Sequence, residues 1–263
     1  MTFIHNQTLD SSMLPGVIRE SEAILLVGRE SDHSFVTETK QTFPQAQIEH
    51  MTMACFLETG ETSIEASSHK RYRYILLEPE ESKIYGFRLL DKTSSLLSLL
   101  TEDGFMQLTL YGYSGYYGIS MVASIVDSLI RDIEDLENSK EFNKVKGVVK
   151  AVIEGLPKNH PAFTQKQFIH QLEQGHHQSI KILLSILPEN VFTVSRVMDN
   201  LREKKVCFKG WGNPQHYRVE PQFDEDILDN RFSQLLPPRS WEAAEMINAA
   251  PPEHTFFICY CPS

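Results

Sequence analysis

Short apolar runs alternate with amphipathic segments over the first half of the chain. Ala23 to Gly28 is continuously apolar and ends in glycine, and residues 73–77 form another β-rich run that begins with an arginine. Runs of this length without a polar face are typical of strands buried on both sides of a parallel sheet. Residues 34–42 and 89–100 carry apolar side chains at helical spacing. This alternation predicts an α/β domain with a doubly wound sheet.

Three further segments extend the pattern. Residues 47–56 and 105–113 are predicted strands, and residues 119–136 are predicted to form a long amphipathic helix. The later part of the chain is mostly helical in pattern and closes with a strand. We therefore expect three parts: a polar lead-in at residues 1–21, an α/β domain at residues 22–135, and a helical C-terminal subdomain at residues 136–263.

The charge balance argues against one class of partner. The chain carries a formal net charge of −10. A surface this acidic is repelled by phosphate backbones, so nucleic acid is not an expected partner. The first residues lack the apolar stretch of a signal peptide, and no apolar run approaches the roughly 20 residues that cross a bilayer. We therefore expect a cytoplasmic protein without a membrane partner.

Several short segments, taken in order, resemble one enzyme family. They are FPQAQI from Phe43, LLSLL from Leu96, GFMQLTLYG from Gly104, ENVFTV from Glu189, VCFKGW from Val206, and Trp241 followed by HTFF from His254. Their order and spacing are similar to those of class I S-adenosylmethionine (AdoMet) methyltransferases, especially the type associated with tetratricopeptide repeats. The resemblance runs from about residue 22 to the end and implies a Rossmann-like sheet that holds AdoMet.

The first departure from this family lies in the cofactor loop. The family has a G-x-G-x-G-like loop after the first strand, because the backbone must approach the cofactor closely. This chain has Gly28, Arg29, Glu30, Ser31 and Asp32 there, so a single glycine remains. The resemblance makes Gly28 and Arg29 the residues nearest the cofactor, and it implies a degenerate motif whose side chains fill the space for the methionine portion.

The second departure concerns the acid that holds the ribose at the end of the second strand. Glu49 is the only acid in that region, and it comes early in the predicted strand. Two interpretations stay open. Glu49 takes the ribose role, or a whole strand–helix unit is missing and the ribose site is absent.

A tyrosine-rich and glycine-rich stretch at residues 111–118 is the most unusual in the chain. It follows a predicted strand, where open α/β sheets place ligands. Tyr111 and Tyr113 would then line an aromatic cofactor pocket. Alternatively, the stretch is a turn whose tyrosines pack on protein. Tyr116 and His160 are weak candidates for a catalytic base. No zinc-site spacing, Walker loop, HExxH or GxSxG motif occurs, so no metal is expected.

Two functions follow from these observations. The leading hypothesis is a methyltransferase-like protein that has lost standard AdoMet binding, uses no cofactor, and serves as a binding or structural subunit with a protein partner or in a homo-oligomer. The alternative is an active AdoMet-dependent methyltransferase, or another small-molecule tailoring enzyme, with a non-standard cofactor loop. Positioning supplies most of the rate in methyl transfer, so missing acid–base groups do not exclude it.

Overall fold

The computed structural model describes residues 23–29, 33–62, 71–131, 133, 138–213, 217, 236–248 and 253–260. Within these ranges seven strands form one sheet. They are β1 (Ala23–Gly28), β2 (Gln47–Thr52), β3 (Tyr72–Leu77), β4 (Leu100–Gly112), β5 (Val191–Phe192), β6 (Val206–Trp211) and β7 (Glu253–Tyr260).

The strand order is β2-β1-β3-β4-β7-β6, and β5 pairs with β4. The pairs among β1 to β5 are parallel, whereas β6 and β7 are antiparallel. This mixed sheet with helices is an α/β, Rossmann-like fold, which confirms the predicted fold class.

Helices fill most of the chain between the strands. They are α1 (His33–Thr42), α2 (Met53–Thr62), α3 (Pro79–Ile84), α4 (Gly86–Asp91), α5 (Thr93–Leu96), α6 (Tyr113–Leu129), α7 (Ser139–Gly155), α8 (Lys166–Glu173), α9 (His177–Ser185), α10 (Val194–Glu203) and α11 (Arg239–Asn248). Short 3₁₀ helices occupy Leu97–Leu99, Pro161–Gln165 and Pro188–Asn190. The described C-terminal part is therefore mostly helical, as the sequence pattern indicates.

Continuous apolarity explains why β1 and β3 form strands in the middle of the sheet. Residues 24–28 of β1 and 74–77 of β3 are all buried. Ile24, Leu26, Tyr74 and Leu76 belong to one apolar cluster together with Phe43 of the turn after α1. Strands buried on both faces need no polar alternation, so the continuous runs in the sequence suffice to identify them.

Three predicted elements have wrong boundaries. The strand predicted for residues 47–56 ends at Thr52, because Met53, Phe56 and Leu57 bury one face of a helix at helical spacing. The helix predicted for residues 89–100 is broken at Lys92, and its last residue begins β4.

The third error concerns the helix predicted for residues 119–136 after a turn, because α6 spans Tyr113–Leu129 and so begins and ends earlier than predicted. Residues from Tyr113 onward are already helical in α6, and Gly112 precedes the helix in extended conformation. Gly118 lies against the 3₁₀ helix Pro161–Gln165, and Gln165 Nε2 donates to the carbonyl of Gly115 at 3.1 Å. Tertiary contact therefore stabilises a helix where composition alone predicts a turn.

The chain forms two compact units, which are described separately. The first comprises residues 1–109, 196–217 and 254–263, and the second comprises residues 110–195 and 218–253. In the second unit, α6, α7 and α9 surround an apolar core that includes Ile119, Val126, Val149 and Leu183. The division predicted from the sequence, between residues 135 and 136, stays a prediction.

No described helix combines the length and the apolar character needed to cross a bilayer.

Two helical glycines of the second unit provide a matched test of packing. A Cβ at Gly118 would lie 2.3 Å from the backbone nitrogen of Ala162 and 2.4 Å from the carbonyl carbon of Pro161. We expect Gly118→Ala to destabilise the protein by about 1–3 kcal/mol, because backbone atoms have to move apart. The free energy of unfolding in urea measures this cost.

Gly147→Ala in α7 is the control, since a Cβ at Gly147 meets no atom within 4 Å. It is expected to stabilise the protein by about 0.5–1 kcal/mol through helix propensity. Equal effects of the two substitutions would contradict the close approach at Gly118.

Candidate functional site

The sheet reverses its winding direction at β1. The chain leaves β1 for β2 on one side, and it later returns to β3 on the other side, with both neighbours parallel to β1. In open α/β sheets, ligands bind outside the carboxyl ends of the two strands that flank such a switch point. Gly28 ends β1, and Leu77 ends β3. The residues at and just after these two positions form the candidate site.

The carboxylate of Glu78, the residue after β3, binds Arg29, the residue after β1. Its Oε2 accepts a hydrogen bond from the backbone N–H of Arg29 at 2.9 Å. Its Oε1 accepts from Nε of Arg29 at 3.0 Å and from Nη2 of the same guanidinium. The backbone N–H of Glu78 also donates to the carbonyl of Val27 at 2.7 Å. Both the backbone and the side chain of Arg29 are thus held by one acid.

Glu78 lies close to the backbone of residue 28. The nearest atoms to a Cβ built at Gly28 belong to Glu78, with Oε2 at 2.8 Å and Cβ at 3.0 Å. A side chain at position 28 would therefore require the Glu78 side chain to shift away from its contacts with Arg29.

Acidic side chains dominate the surroundings of this ion pair. The Glu78 side chain is 5% exposed, whereas that of Arg29 is 42% exposed. Glu81 Oε1 lies 3.7 Å from Arg29 Nε, and Lys83 pairs with Glu80 at 2.7 Å. Burial, and next the Glu78 carboxylate, raises the pKa of Glu81 above its ordinary value, although Arg29 opposes the shift. The acids flank the first turn of α3, where the helix dipole favours negative charge.

Glu49, the acid predicted to hold the ribose, is not part of the ion-pair group around Arg29 and Glu78. It is the third residue of β2 and pairs in register with Leu25, not with the end of β1. Its carboxylate accepts a hydrogen bond of 2.5 Å from the hydroxyl of Tyr72 at the start of β3. Burial, followed by this hydrogen bond, raises the pKa of Tyr72 to about 12. Glu49 thus has a neighbouring tyrosine as its partner, and a ribose role remains a prediction.

The predicted aromatic residues lie in the second unit. Tyr111 is buried in the apolar core, and its ring centroid lies 4.7 Å from that of Tyr116. Tyr113 begins α6 and is exposed, with its ring 4.7 Å from that of Tyr117. Burial, and next Tyr117, raises the pKa of Tyr113. The packing interpretation therefore describes Tyr111, whereas a cofactor role for either residue is still a prediction.

The two weak base candidates have structural partners. The hydroxyl of Tyr116 donates to Glu253 Oε1 at 3.5 Å. His160 precedes the 3₁₀ helix at Pro161, and its Nδ1 accepts from the backbone N–H of Ala162 at 3.1 Å. His160 thus caps this 3₁₀ helix, and its role as a catalytic base stays a prediction.

Sequence analysis did not identify Glu78 as a site residue. The local signal was present, because an acid follows one buried strand and an arginine follows another. The two residues are 49 positions apart, and their pairing depends on β1 and β3 being neighbours. Glu30, Ser31 and Asp32 of the predicted loop lie outside the described residues.

Among the described residues, histidine, cysteine, aspartate and glutamate side chains form no group of three or more that could hold a metal ion.

Comparison with known proteins supports the fold and little beyond it. No protein-family model matches the sequence, and no curated protein matches it. The structure of PKMT2 from Rickettsia typhi is similar, with a TM-score of 0.60, 10% identity, and coverage of 95% of this chain and 50% of that chain. The same protein in complex with AdoHcy gives a TM-score of 0.55 at 10% identity, covering 92% and 50%. This chain thus has a methyltransferase fold and spans about half the length of these structures.

The steric relation between Gly28 and Glu78 can be measured as a coupling. We expect Gly28→Ala to cost about 1–3 kcal/mol of stability in the otherwise unchanged chain, because the new methyl group meets the Glu78 side chain. In the Glu78→Gly background the same substitution should cost less than half as much. A double-mutant cycle of urea unfolding gives the coupling energy. Additive effects would show that the Glu78 side chain does not limit the space at position 28.

The raised pKa of Glu81 predicts a pH-dependent gain from Glu81→Gln. The folded state binds the Glu81 proton more tightly than the unfolded chain, so ionisation costs stability above the raised pKa and nothing below 4.5. The variant should be more stable at neutral pH by about 0.5–1 kcal/mol, since burial outweighs the lost attraction to Arg29. This gain should shrink as the pH falls through the raised pKa and vanish below 4.5. Urea unfolding across this pH range measures it.

Glu102→Gln on β4 is the control, because Glu102 is exposed. It should change stability little at any of these pH values. A gain for Glu81→Gln that grows on acidification would contradict the assigned direction.

Proposed function

We propose that this chain is a methyltransferase-fold protein that has lost AdoMet binding in the standard mode and acts as a non-catalytic binding or structural subunit. Its cofactor motif is degenerate, and its nearest family type is the one associated with tetratricopeptide repeats. It works with a protein partner or with a second copy, not with a bound cofactor.

One observation carries the proposal: the Glu78 carboxylate occupies the position over Gly28 at the switch point. In the family that the sequence resembles, the loop after the first strand holds the methionine portion of AdoMet against the backbone. Here the N–H of Arg29 already donates to Glu78, and the guanidinium fixes the same carboxylate. The residues of this crevice do not suit the cofactor.

Binding of AdoMet in the standard mode would first have to displace Glu78. The carboxylate is nearly buried, and its partner Arg29 is partly exposed. Separating such a pair costs roughly 1–3 kcal/mol, intermediate between buried and surface ion pairs. Each 1.4 kcal/mol lowers affinity about tenfold, so this displacement alone weakens binding by about one to two orders of magnitude.

The fold does not require a ligand in this place. The apolar strands β1 and β3 are buried on both faces, and such burial contributes about 25 cal/mol per Å² irrespective of the loop beyond them. A subunit can therefore keep the sheet and its partner surfaces after the cofactor loop has changed. The stability of the core thus does not depend on the candidate site, which supports a structural or binding role.

The alternative function has one observation in its favour. A protein of similar fold binds AdoHcy. An active AdoMet-dependent methyltransferase on this chain would need Glu78 to swing away from Arg29, or a cofactor position displaced from Gly28.

Calorimetric titration with AdoMet separates the two functions. We expect AdoMet to bind at least ten- to hundredfold more weakly than it binds an intact class I methyltransferase, with a correspondingly smaller rise in melting temperature at millimolar AdoMet. An AdoMet-binding class I methyltransferase measured under the same conditions is the positive control. Micromolar binding by the unchanged chain would contradict the proposal.

The Glu78→Ala variant tests the cause in the same assay. Heat that appears only in this variant would identify the Glu78 side chain as the obstacle. Melting temperature without ligand must be recorded for both proteins, because the variant also loses its contacts with Arg29.

A further inference from the structure

Five large side chains lie exposed along one side of α6, and we call them the α6 ridge: Tyr113, Tyr117, Met121, Ile125 and Leu129. Each exposes between 38% and 57% of its surface. They follow one another at intervals of four residues, which are about 40° apart around an α-helix. Such a row is one of the i, i+4 ridges by which helices pack on each other. A continuous exposed apolar row, unlike scattered apolar residues, indicates an interaction surface.

The α6 ridge carries no charge. Asp127 is the only charged residue of α6, and it lies about 120° around the helix from Met121. The chain as a whole has a net charge of −10, so its abundant acids are absent from this face. A charged partner surface would lose its hydration here without gaining an opposite charge. The α6 ridge therefore favours a partner surface that is uncharged and apolar.

A row of small residues lies beside the ridge. Ser124 and Ser128 each precede a ridge residue by one position and reach the surface, whereas Ser120 of the same row is 2% exposed. The hydroxyls of Ser124 and Ser128 donate back to carbonyls of the same helix, at 2.9 and 2.7 Å. They need no polar partner from outside, and their small size leaves a groove. An apolar i, i+4 ridge of another helix can enter this groove.

We propose that the α6 ridge docks on the α6 ridge of a second copy of this chain. The ridge and the groove lie on the same helix, so a two-fold arrangement satisfies both at once. Ridges of the i, i+4 class interdigitate at a crossing angle of about −50°. Met121 is the central residue of the ridge and lies at the two-fold axis. The paired rings of Tyr113 and Tyr117 flank it and supply the aromatic anchors that interfaces favour.

The exposed area indicates how strong this dimer is. Large side chains carry roughly 150–250 Å² each, so the five ridge residues expose on the order of 400 Å² per copy. Together with the serine row, two copies bury about 1,000 Å², the lower limit of specific interfaces. The dimer is therefore reversible and forms at micromolar or higher concentration.

This inference rests on the proposed function only in giving the non-catalytic subunit a partner. The two can fail separately, because molecular mass reports on the ridge and binding heat reports on the cofactor.

Sedimentation equilibrium of the full chain, from low micromolar to several hundred micromolar, tests the proposal. The average mass should rise from that of one chain towards that of two. Met121→Glu and Met121→Lys should each weaken association about tenfold or more, because equal charges then face each other across the axis. A mixture of the two variants should recover the dimer, since opposite charges meet only between different copies.

Phe87→Glu is the matched control, because Phe87 is 49% exposed but belongs to a different helix, α4. It should dimerise like the unchanged chain, and the melting temperature of every variant is recorded, because Met121 and Phe87 are only 38% and 49% exposed. A chain that stays monomeric throughout would overturn the proposal and assign the ridge to a different protein. Dimers that persist in both Met121 variants, or a mixture that does not associate, would overturn it equally.

Discussion

The contact between the Glu78 carboxylate and Arg29 determines the geometry and the charge distribution of the candidate site. One side chain from the end of β3 holds both the backbone N–H and the guanidinium of the first residue after β1. The space beside position 28 and part of the raised pKa of Glu81 depend on where this carboxylate lies. A low-dielectric position strengthens such a pair, and it makes each unpaired charge costly.

The fold and this contact place different demands on the sequence. Strands β1 and β3 require only apolar residues, and many substitutions that keep volume would preserve them. The site requires particular groups at particular atoms, because a carboxylate can accept from one N–H and one guanidinium only in a narrow geometry. A methyltransferase fold can therefore persist while the chemistry at the ends of its strands changes, and fold alone does not determine function.

Sequence patterns predicted the helices and strands that are determined by residues close together in the chain. The buried runs of β1 and β3 were identified because short, continuously apolar segments are typical of strands covered on both faces. The start of α6 was missed, since its glycines favour a turn until the contact of Gly118 with Pro161 and Ala162 is known. The pairing of Glu78 with Arg29 was equally inaccessible, because only the strand order brings residues 49 positions apart together. Local causes are visible in a sequence, whereas tertiary causes are not.

The proposed docking through the uncharged row on α6 makes self-association depend on ionic strength. The acidic residues of the chain repel a second copy over distances of about 30 Å at 0.01 M salt, and about 0.1 M salt shortens this range to about 10 Å. Salts that are excluded from protein surfaces also strengthen apolar contact. Both effects act in the same direction, so the proposed pair is favoured at high salt and the single chain at low salt.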